Sequence, residues 1–323
     1  MEQRHQRIAL LHHTGGGNLG DDATMDIVLR SIRRRWPVAE IATLSMNPGE
    51  ARKKYGVPSY PIKRYTWDVG YVTSPKSEAS KTSKRGLSRL FAEANNPIIR
   101  LPRAILSELS FLVESFRVLR SFDLLIISGG GQLTERSGPW GFTYTLFCWV
   151  LMARAAGVKS VFLNVGAGPL KSPLGKFFAR RALFAADYVS FRDEQSQVLA
   201  NNIGFTGKSQ VFPDNAYNIE PPPPRVLLGR RNRPIVGIAP ISYPFCDPRE
   251  HTSDHQIIYE ELTAKLAKFA VSLVQRCYSF ELFGNDIGAD PAAIEDMRTV
   301  LRNRHNIITP EYVRVDSVRE LLS

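Results

Sequence analysis

The stretch His13-Thr14-Gly15-Gly16-Gly17-Asn18-Leu19-Gly20-Asp21-Asp22-Ala23 decides how the rest of the chain is read. An apolar run, Ile8 to Leu11, enters it, and a helical segment, about Asp21 to Arg34, leaves it. Three consecutive glycines at a strand-to-helix turn accept backbone angles that other residues resist. They also let a ligand or another loop approach closely. The helical segment carries Ala23, Ile27, Leu29 and Ile32 as its apolar stripe. Arg33-Arg34-Arg35 close it, where the macrodipole favours cations, and Pro37 stops it. Glu40 to Leu44 then reads as a second strand, which makes a β-α-β unit and predicts a parallel sheet.

Further along, Ser128-Gly129-Gly130-Gly131 repeats the device. It follows Asp123-Leu124-Leu125-Ile126-Ile127, an unbroken apolar run typical of a strand buried on both faces. Before that strand a long helix is predicted, about Ile98 to Ser121, with Ile105, Leu109, Leu112, Phe116 and Leu119 on one face. After it comes Trp140 to Ala156, a helix read as buried; it is too short to span a bilayer and is interrupted by Arg154. The alternation then becomes regular. Val158 to Leu163 is a strand ending in Asn164-Val165-Gly166-Ala167-Gly168-Pro169, followed by a helix, Leu174 to Ala185. Tyr188 to Phe191 is a strand ending in Arg192-Asp193, followed by a helix, Glu194 to Asn202, and a strand, Ser209 to Phe212, ending in Pro213-Asp214. Ligands of open parallel sheets sit beyond the carboxyl ends of the strands, the edge on which all these polar and glycine-rich tails collect.

The 323 residues suffice for two domains. Pro221-Pro222-Pro223-Pro224 is a semi-rigid spacer, so the expected division is an N-terminal Rossmann-like domain over 1–220, a linker over 221–233 and a second domain over 234–323. In the second domain Pro234 to Ala239, Phe280 to Phe283 and Asn306 to Ile308 read as strands. Gln256 to Arg276, Asp290 to Arg302 and the start at Ser317 read as helices. That pattern stops in mid-course, so this domain is expected to be partial and the chain a fragment or a truncated product. Residues from about 70 to 97 break the alternation. Their polar, basic core, Ser74 to Gly86, reads as a mobile loop and a candidate contact with anionic membrane.

At 43% hydrophobic and 23% charged residues the composition is globular, and the net charge of +11 by itself suits acidic partners such as phosphates, anionic sugars, nucleic acid or a membrane surface. A nucleic-acid partner is not expected. Cys148, Cys246 and Cys277 are odd in number, far apart and without metal-ligand spacing, as in a reducing cytoplasm. The polar start, Met1 to Arg7, shows no signal peptide. The expected location is therefore cytoplasmic, with peripheral contact at the inner face of the membrane.

Gly15-x-Gly17-x-x-Gly20 matches a dinucleotide fingerprint in the right context. Two features oppose it. Asp21 and Asp22 occupy the helix end that would receive a pyrophosphate, and Leu44-Ser45-Met46-Asn47 offers no acid for a ribose. Arg192, at a strand end on the ligand edge, could grip a carboxylate or phosphate with two donors, whereas Asp193 reads as a cap of the next helix. His251 and His255 have metal-like spacing but lack the acid of HExxH, so no metal site is expected. Of His12 and His13, one should face the cleft and the other the core.

Five segments together resemble the polysaccharide pyruvyl transferase family. They are Gly17-Asn18-Leu19-Gly20-Asp21-x-Ala23, Asp123 to Gly131, Gly166-Ala167-Gly168-Pro169, Val189-Ser190-Phe191-Arg192-Asp193-Glu194-Gln195-Ser196 and Pro213-Asp214-Asn215-Ala216-Tyr217. The resemblance implies an α/β fold of two Rossmann-like domains facing a cleft, as in GT-B glycosyltransferases. It implies transfer of the pyruvyl group of phosphoenolpyruvate to the hydroxyls of a saccharide or lipid-linked saccharide, giving a pyruvate ketal, with no cofactor beyond that donor. Arg192 is the implied catalytic cation, and Gly16, Gly17, Asn18, Asp21, Gly129, Gly130, Gly131, Gly166 and Asp214 the implied substrate-binding positions. Family members carry a later strand with an Arg-x-His motif, which nothing here matches. Two other classes stay open: a GT-B glycosyltransferase using a nucleotide sugar, and a non-catalytic saccharide- or partner-binding remnant.

Overall fold

The structure, a computed structural model, describes residues 6–12, 17–64, 97–135, 138–220, 234–242, 253–309 and 315, with only the backbone described for 97–104 and 253–255. The first unit runs β1 (Arg7–Leu11), α1 (Leu19–Arg35), β2 (Glu40–Ser45), α2 (Pro48–Tyr55), β3 (Ser59–Pro61), α3 (Pro97–Leu119) and β4 (Leu124–Ser128). It continues with α4 (Phe142–Ala156), β5 (Lys159–Val165), α5 (Pro173–Ala185), β6 (Tyr188–Phe191), α6 (Glu194–Asn202) and β7 (Gln210–Val211), then a 3-10 turn over Asn215–Asn218. Beyond it lie β8 (Ile235–Ile238), α7 (Ser253–Gln275), β9 (Ser279–Leu282) and α8 (Asp290–His305).

The first seven strands form one sheet in the order β3-β2-β1-β4-β5-β6-β7, and every neighbouring pair is parallel. The chain winds outward from β1 to β3, returns through α3, and winds the other way from β4. The order therefore reverses between β1 and β4, the place where open parallel sheets form a ligand crevice at the carboxyl ends of their strands. Each face of the sheet carries its own core. Leu10, Met25, Val28, Ile32 and Tyr55 pack on one side with α1 and α2. Leu11, Leu125, Leu146, Trp149, Phe162 and Leu183 pack on the other with α4 and α5. Residues of β1 and β4 feed both cores, so these strands read as unbroken apolar runs. β8 and β9 pair in parallel as a second, small sheet, covered by Ala267, Ala270, Met297 and Leu301 from α7 and α8.

Two expectations are corrected. Asn306 to Ile308 carry no strand, and Ile308 is exposed, because no neighbouring edge pairs with them among the described residues. On α3, Leu119 is buried but Ile105 and Leu109 are 51% and 53% exposed. This helix meets α4 over only part of its length, so the stripe dips into the core at its C-terminal end alone. α2 and β3 have no counterpart in the sequence reading; Asn47 caps α2 by accepting from the Glu50 N–H. The basic stretch Ser74 to Gly86 and the proline spacer fall wholly outside the described residues, as does the helix start at Ser317.

Candidate functional site

At the strand reversal lie the second glycine turn and Gly17, the described end of the first. Of the first, His13 to Gly16, including the expected site residue Gly16, lie outside the described residues. Gly17 adopts a φ of 81°, the left-handed region, which favours glycine. What approaches it is protein: the Ile287 N–H donates to the Gly17 carbonyl (3.0 Å), and the Leu19 N–H donates to the Asn285 carbonyl (2.9 Å). Asn18 forms an antiparallel bridge with Asp286, and its side chain caps α1 by accepting from the Asp21 N–H (3.1 Å). The first turn is thus clasped by the loop that follows β9.

The adjacent aspartates part company. Asp22 is buried, accepts from the Tyr55 hydroxyl (2.7 Å) and pairs with Lys54, so it ties α1 to α2. Burial first, then the Asp22 charge, pushes the Tyr55 phenol well above its usual range. Asp21 points instead at the second turn: a Cβ placed on Gly130 would lie 3.1 Å from Asp21 Oδ1. The start of α1 thus faces the second glycine turn through a carboxylate.

In the second turn the three glycines differ. A Cβ on Gly129 would lie 2.4 Å from Thr24 Cγ2 and 3.0 Å from Asn215 Nδ2. Gly130, at a φ of 68°, is hemmed by Asp21, Gln132 and His12. Gly131 is exposed and has open space where its side chain would be. Below them a polar network joins the ends of β5, β6 and β7. Asn164, at a φ of 51°, donates from Nδ2 to Asn215 Oδ1 (2.8 Å), and the Ser190 hydroxyl donates to Asn164 Oδ1 (2.8 Å). Five buried polar atoms around the turn have no hydrogen-bond partner among the described residues: both nitrogens of His12, Ser128 Oγ, Gln132 Oε1 and Asn215 Nδ2. Burial holds the His12 imidazole down to about 4, against the pull of Asp22 and Asp214, so it is neutral at pH 7. His12 is thus buried, and His13 lies outside the described residues.

Arg192 lies two strands away from β4. Its guanidinium lies across Gly166, where a Cβ would come within 2.5 Å of Nε. Nε donates to Asp193 and Nη1 to Asp214, each at 3.3 Å. Asp193 also caps α6 by accepting from the Ser196 N–H (2.7 Å), and Asp214 caps the 3-10 turn by accepting from the Ala216 N–H (3.0 Å). The two carboxylates orient the guanidinium and leave Nη2 outside both pairs.

The structure thus brings Gly17, Asn18, Asp21, Gly129, Gly130 and Gly131 together at the crevice, and Gly166, Arg192 and Asp214 together beside it. Sequence reasoning overlooked Gln132, Asn164 and Asn215 as parts of the same site. The signal was present: each is an amide next to a glycine or proline tail at the end of an otherwise apolar strand. The described part of the site thus combines the Asp21 carboxylate and the open backbone at Gly131, over a buried layer of amides from Gln132, Asn164 and Asn215. Among the described residues no group of three or more His, Cys, Asp or Glu could hold a metal ion, and no helix is long and apolar enough to cross a membrane.

A family model described as polysaccharide pyruvyl transferase matches residues 18–312, and the chain belongs to that family. No functionally curated protein matches it by sequence. Among solved structures, the UDP-GlcNAc 2-epimerase from Neisseria meningitidis bound to UDP-GlcNAc superposes with a TM-score of 0.51 at 11% identity, over 98% of this chain and 74% of that one. A Listeria monocytogenes protein, provisionally assigned as a UDP-N-acetylglucosamine 2-epimerase, gives 0.51 at 11%, over 98% and 71%. A glycosyltransferase from Rickettsia africae gives 0.46 at 11%, over 98% and 70%. The fold is the GT-B-like α/β arrangement, with a large and a small parallel sheet.

Proposed function

We propose that this chain, as a polysaccharide pyruvyl transferase family member, moves the pyruvyl group of phosphoenolpyruvate onto two hydroxyls of a saccharide. The product is a pyruvate ketal on a cell-surface or exopolysaccharide precursor, made on the cytoplasmic side of the membrane. The phosphate leaves as inorganic phosphate and the methylene carbon takes a proton to become methyl. The carbon that bore the phosphate bonds to two acceptor oxygens, whose two protons balance those steps. The reaction needs an acid for the methylene carbon and a base for the hydroxyls.

The observation that carries this reading beyond family membership is the position of Asp21. A carboxylate at the mouth of α1, facing Gly130, suits neutral hydroxyls and opposes the pyrophosphate of a nucleotide sugar. The anionic donor is assigned to Arg192, whose Nη2 remains available once Asp193 and Asp214 have oriented it. The test is phosphate release from phosphoenolpyruvate in the presence of saccharide acceptors. Arg192→Ala should lower kcat/KM for the donor by roughly 100-fold, and Arg192→Lys should recover only part of it, because the planar fork is lost. Stability should hardly change, since the ion pairs are partly exposed. Full activity in Arg192→Ala would remove it from the site. Activity with a nucleotide sugar and none with phosphoenolpyruvate would favour the glycosyltransferase alternative.

A further inference from the structure

Trp140 is 64% exposed, an unusual position for so large an apolar ring. It stands between the second glycine turn and α4, on the ligand edge of the sheet. Its ring is held from below. Trp140 meets Tyr144 at a centroid distance of 5.2 Å and Phe178 at 5.6 Å, and Tyr144 meets Phe178 at 5.5 Å. Phe147 and Phe177 extend the layer, 5.1 and 5.8 Å from Phe178, with the Arg181 guanidinium over Phe177 at 5.5 Å. Tilted and edge-on contacts at these distances are favourable and immobilise the rings.

The described backbone on either side of Trp140 is hydrogen-bonded as well. Leu133 bridges Ala167 next to the second turn. Glu135 Oε2 accepts from the Lys171 and Ser172 N–H groups, at 2.6 and 2.8 Å. The Gly141 N–H donates to the Gly138 carbonyl, and the Thr143 hydroxyl donates to the Pro139 carbonyl, each at 3.0 Å. An exposed indole on an immobile support requires little further ordering when a flat partner stacks on it.

We propose that Trp140, backed by Tyr144 and Phe178, is a stacking subsite for a pyranose ring of the acceptor, outside the sugar unit that reacts. The identity of the acceptor rests on the pyruvyl transferase reading; the platform itself does not. A pyranose presents a flat face of C–H groups, which suits an aromatic face, and a rim of hydroxyls. The edge of the platform supplies polar groups for that rim: the Tyr144 hydroxyl, which donates to Glu108 at 3.5 Å, and the carboxylate of Glu108 itself. The Glu108 carboxylate is itself paired with Arg64 (3.5 Å), so it presents hydrogen-bonding oxygens rather than an unbalanced charge, and one protruding ring is too small for a stable interface with a bilayer or a second copy.

The test is calorimetric titration of wild type, Trp140→Ala and Trp140→Phe with maltohexaose, cellohexaose and mannohexaose. Unchanged melting temperatures serve as the folding check. At least one hexaose should bind wild type. Trp140→Ala should weaken it roughly tenfold, and Trp140→Phe should stay within about threefold. Failure of every hexaose to bind, or equal affinity of wild type and Trp140→Ala, overturns the proposal. So does a Trp140→Ala variant that loses phosphatidylglycerol-vesicle binding or self-association while its hexaose affinity is unchanged. Binding is read without chemistry, so a wild type that binds a hexaose at Trp140 yet releases no phosphate from phosphoenolpyruvate refutes the pyruvyl reading and leaves the platform standing.

Discussion

The two glycine turns look alike in sequence and differ in use. Gly17 gives its backbone to the loop after β9, so the described end of the first turn is bonded to the unit of the small sheet. In the second turn Gly129 and Gly130 are consumed by close packing against Thr24, Asn215, Asp21 and His12, and Gly131 alone opens outward. A run of three glycines therefore need not be three invitations to a ligand. What separates the cases is what a Cβ would meet, and the neighbours concerned come from elements far apart in the chain.

That difference can be broken at each position in turn. The largest effect is expected for Gly129→Ala. Its Cβ would sit inside van der Waals contact of a buried threonine methyl, and overpacking there should destabilise the fold by about 3 kcal/mol or more, read by denaturant unfolding. Next comes the group beneath both turns. Folded His12 stays neutral down to about pH 4, whereas unfolded histidine takes up a proton below about 6.5. The unfolded state therefore binds more protons between those values. Stability should fall as pH drops through that window, by ~3 kcal/mol in all, with no contribution above it. His12→Gln should flatten that slope in pH-dependent melts.

Gly17→Ala should cost about 1–2 kcal/mol, because an alanine at that φ is strained although the added methyl reaches only ordinary contact with Gly288 N at 3.4 Å. Its distinctive readout is faster hydrogen exchange at the Leu19 and Ile287 amides, which hold the two sheets together. Gly131→Ala should be the quietest for stability, within about 0.5 kcal/mol, because the added methyl meets nothing. It should raise the KM for saccharide acceptors if the open backbone is where they approach. An unchanged KM would make this glycine a turn residue only.

The alternation of strands and helices was readable from local pattern, since period, caps and punctuation are written in neighbouring residues. Tyr188–Phe191 and Glu194–Asn202 come out with their expected bounds, and the apolar stripe of α1 is buried throughout. The ligand edge followed from strand order. What could not be read depends on long-range placement. Nothing near Asp21 and Asp22 says that one meets Tyr55 and the other Gly130. Ile105 and Leu109 fit a core stripe, and only the partial contact of α3 with α4 leaves them exposed. Trp140 read as the first residue of a buried helix, whereas the helix begins at Phe142 and leaves the indole at the rim.

The central claim is that the crevice between β1 and β4 serves a saccharide that receives pyruvate from phosphoenolpyruvate. The most direct measurement is mass spectrometry of saccharide acceptors after incubation with the protein and phosphoenolpyruvate, with inorganic phosphate counted in the same reaction. The account predicts a product heavier by one pyruvate less one water, one phosphate released per product, and loss of both in Arg192→Ala. An acceptor of unchanged mass, or one that gains a whole sugar from a nucleotide sugar instead, would contradict it.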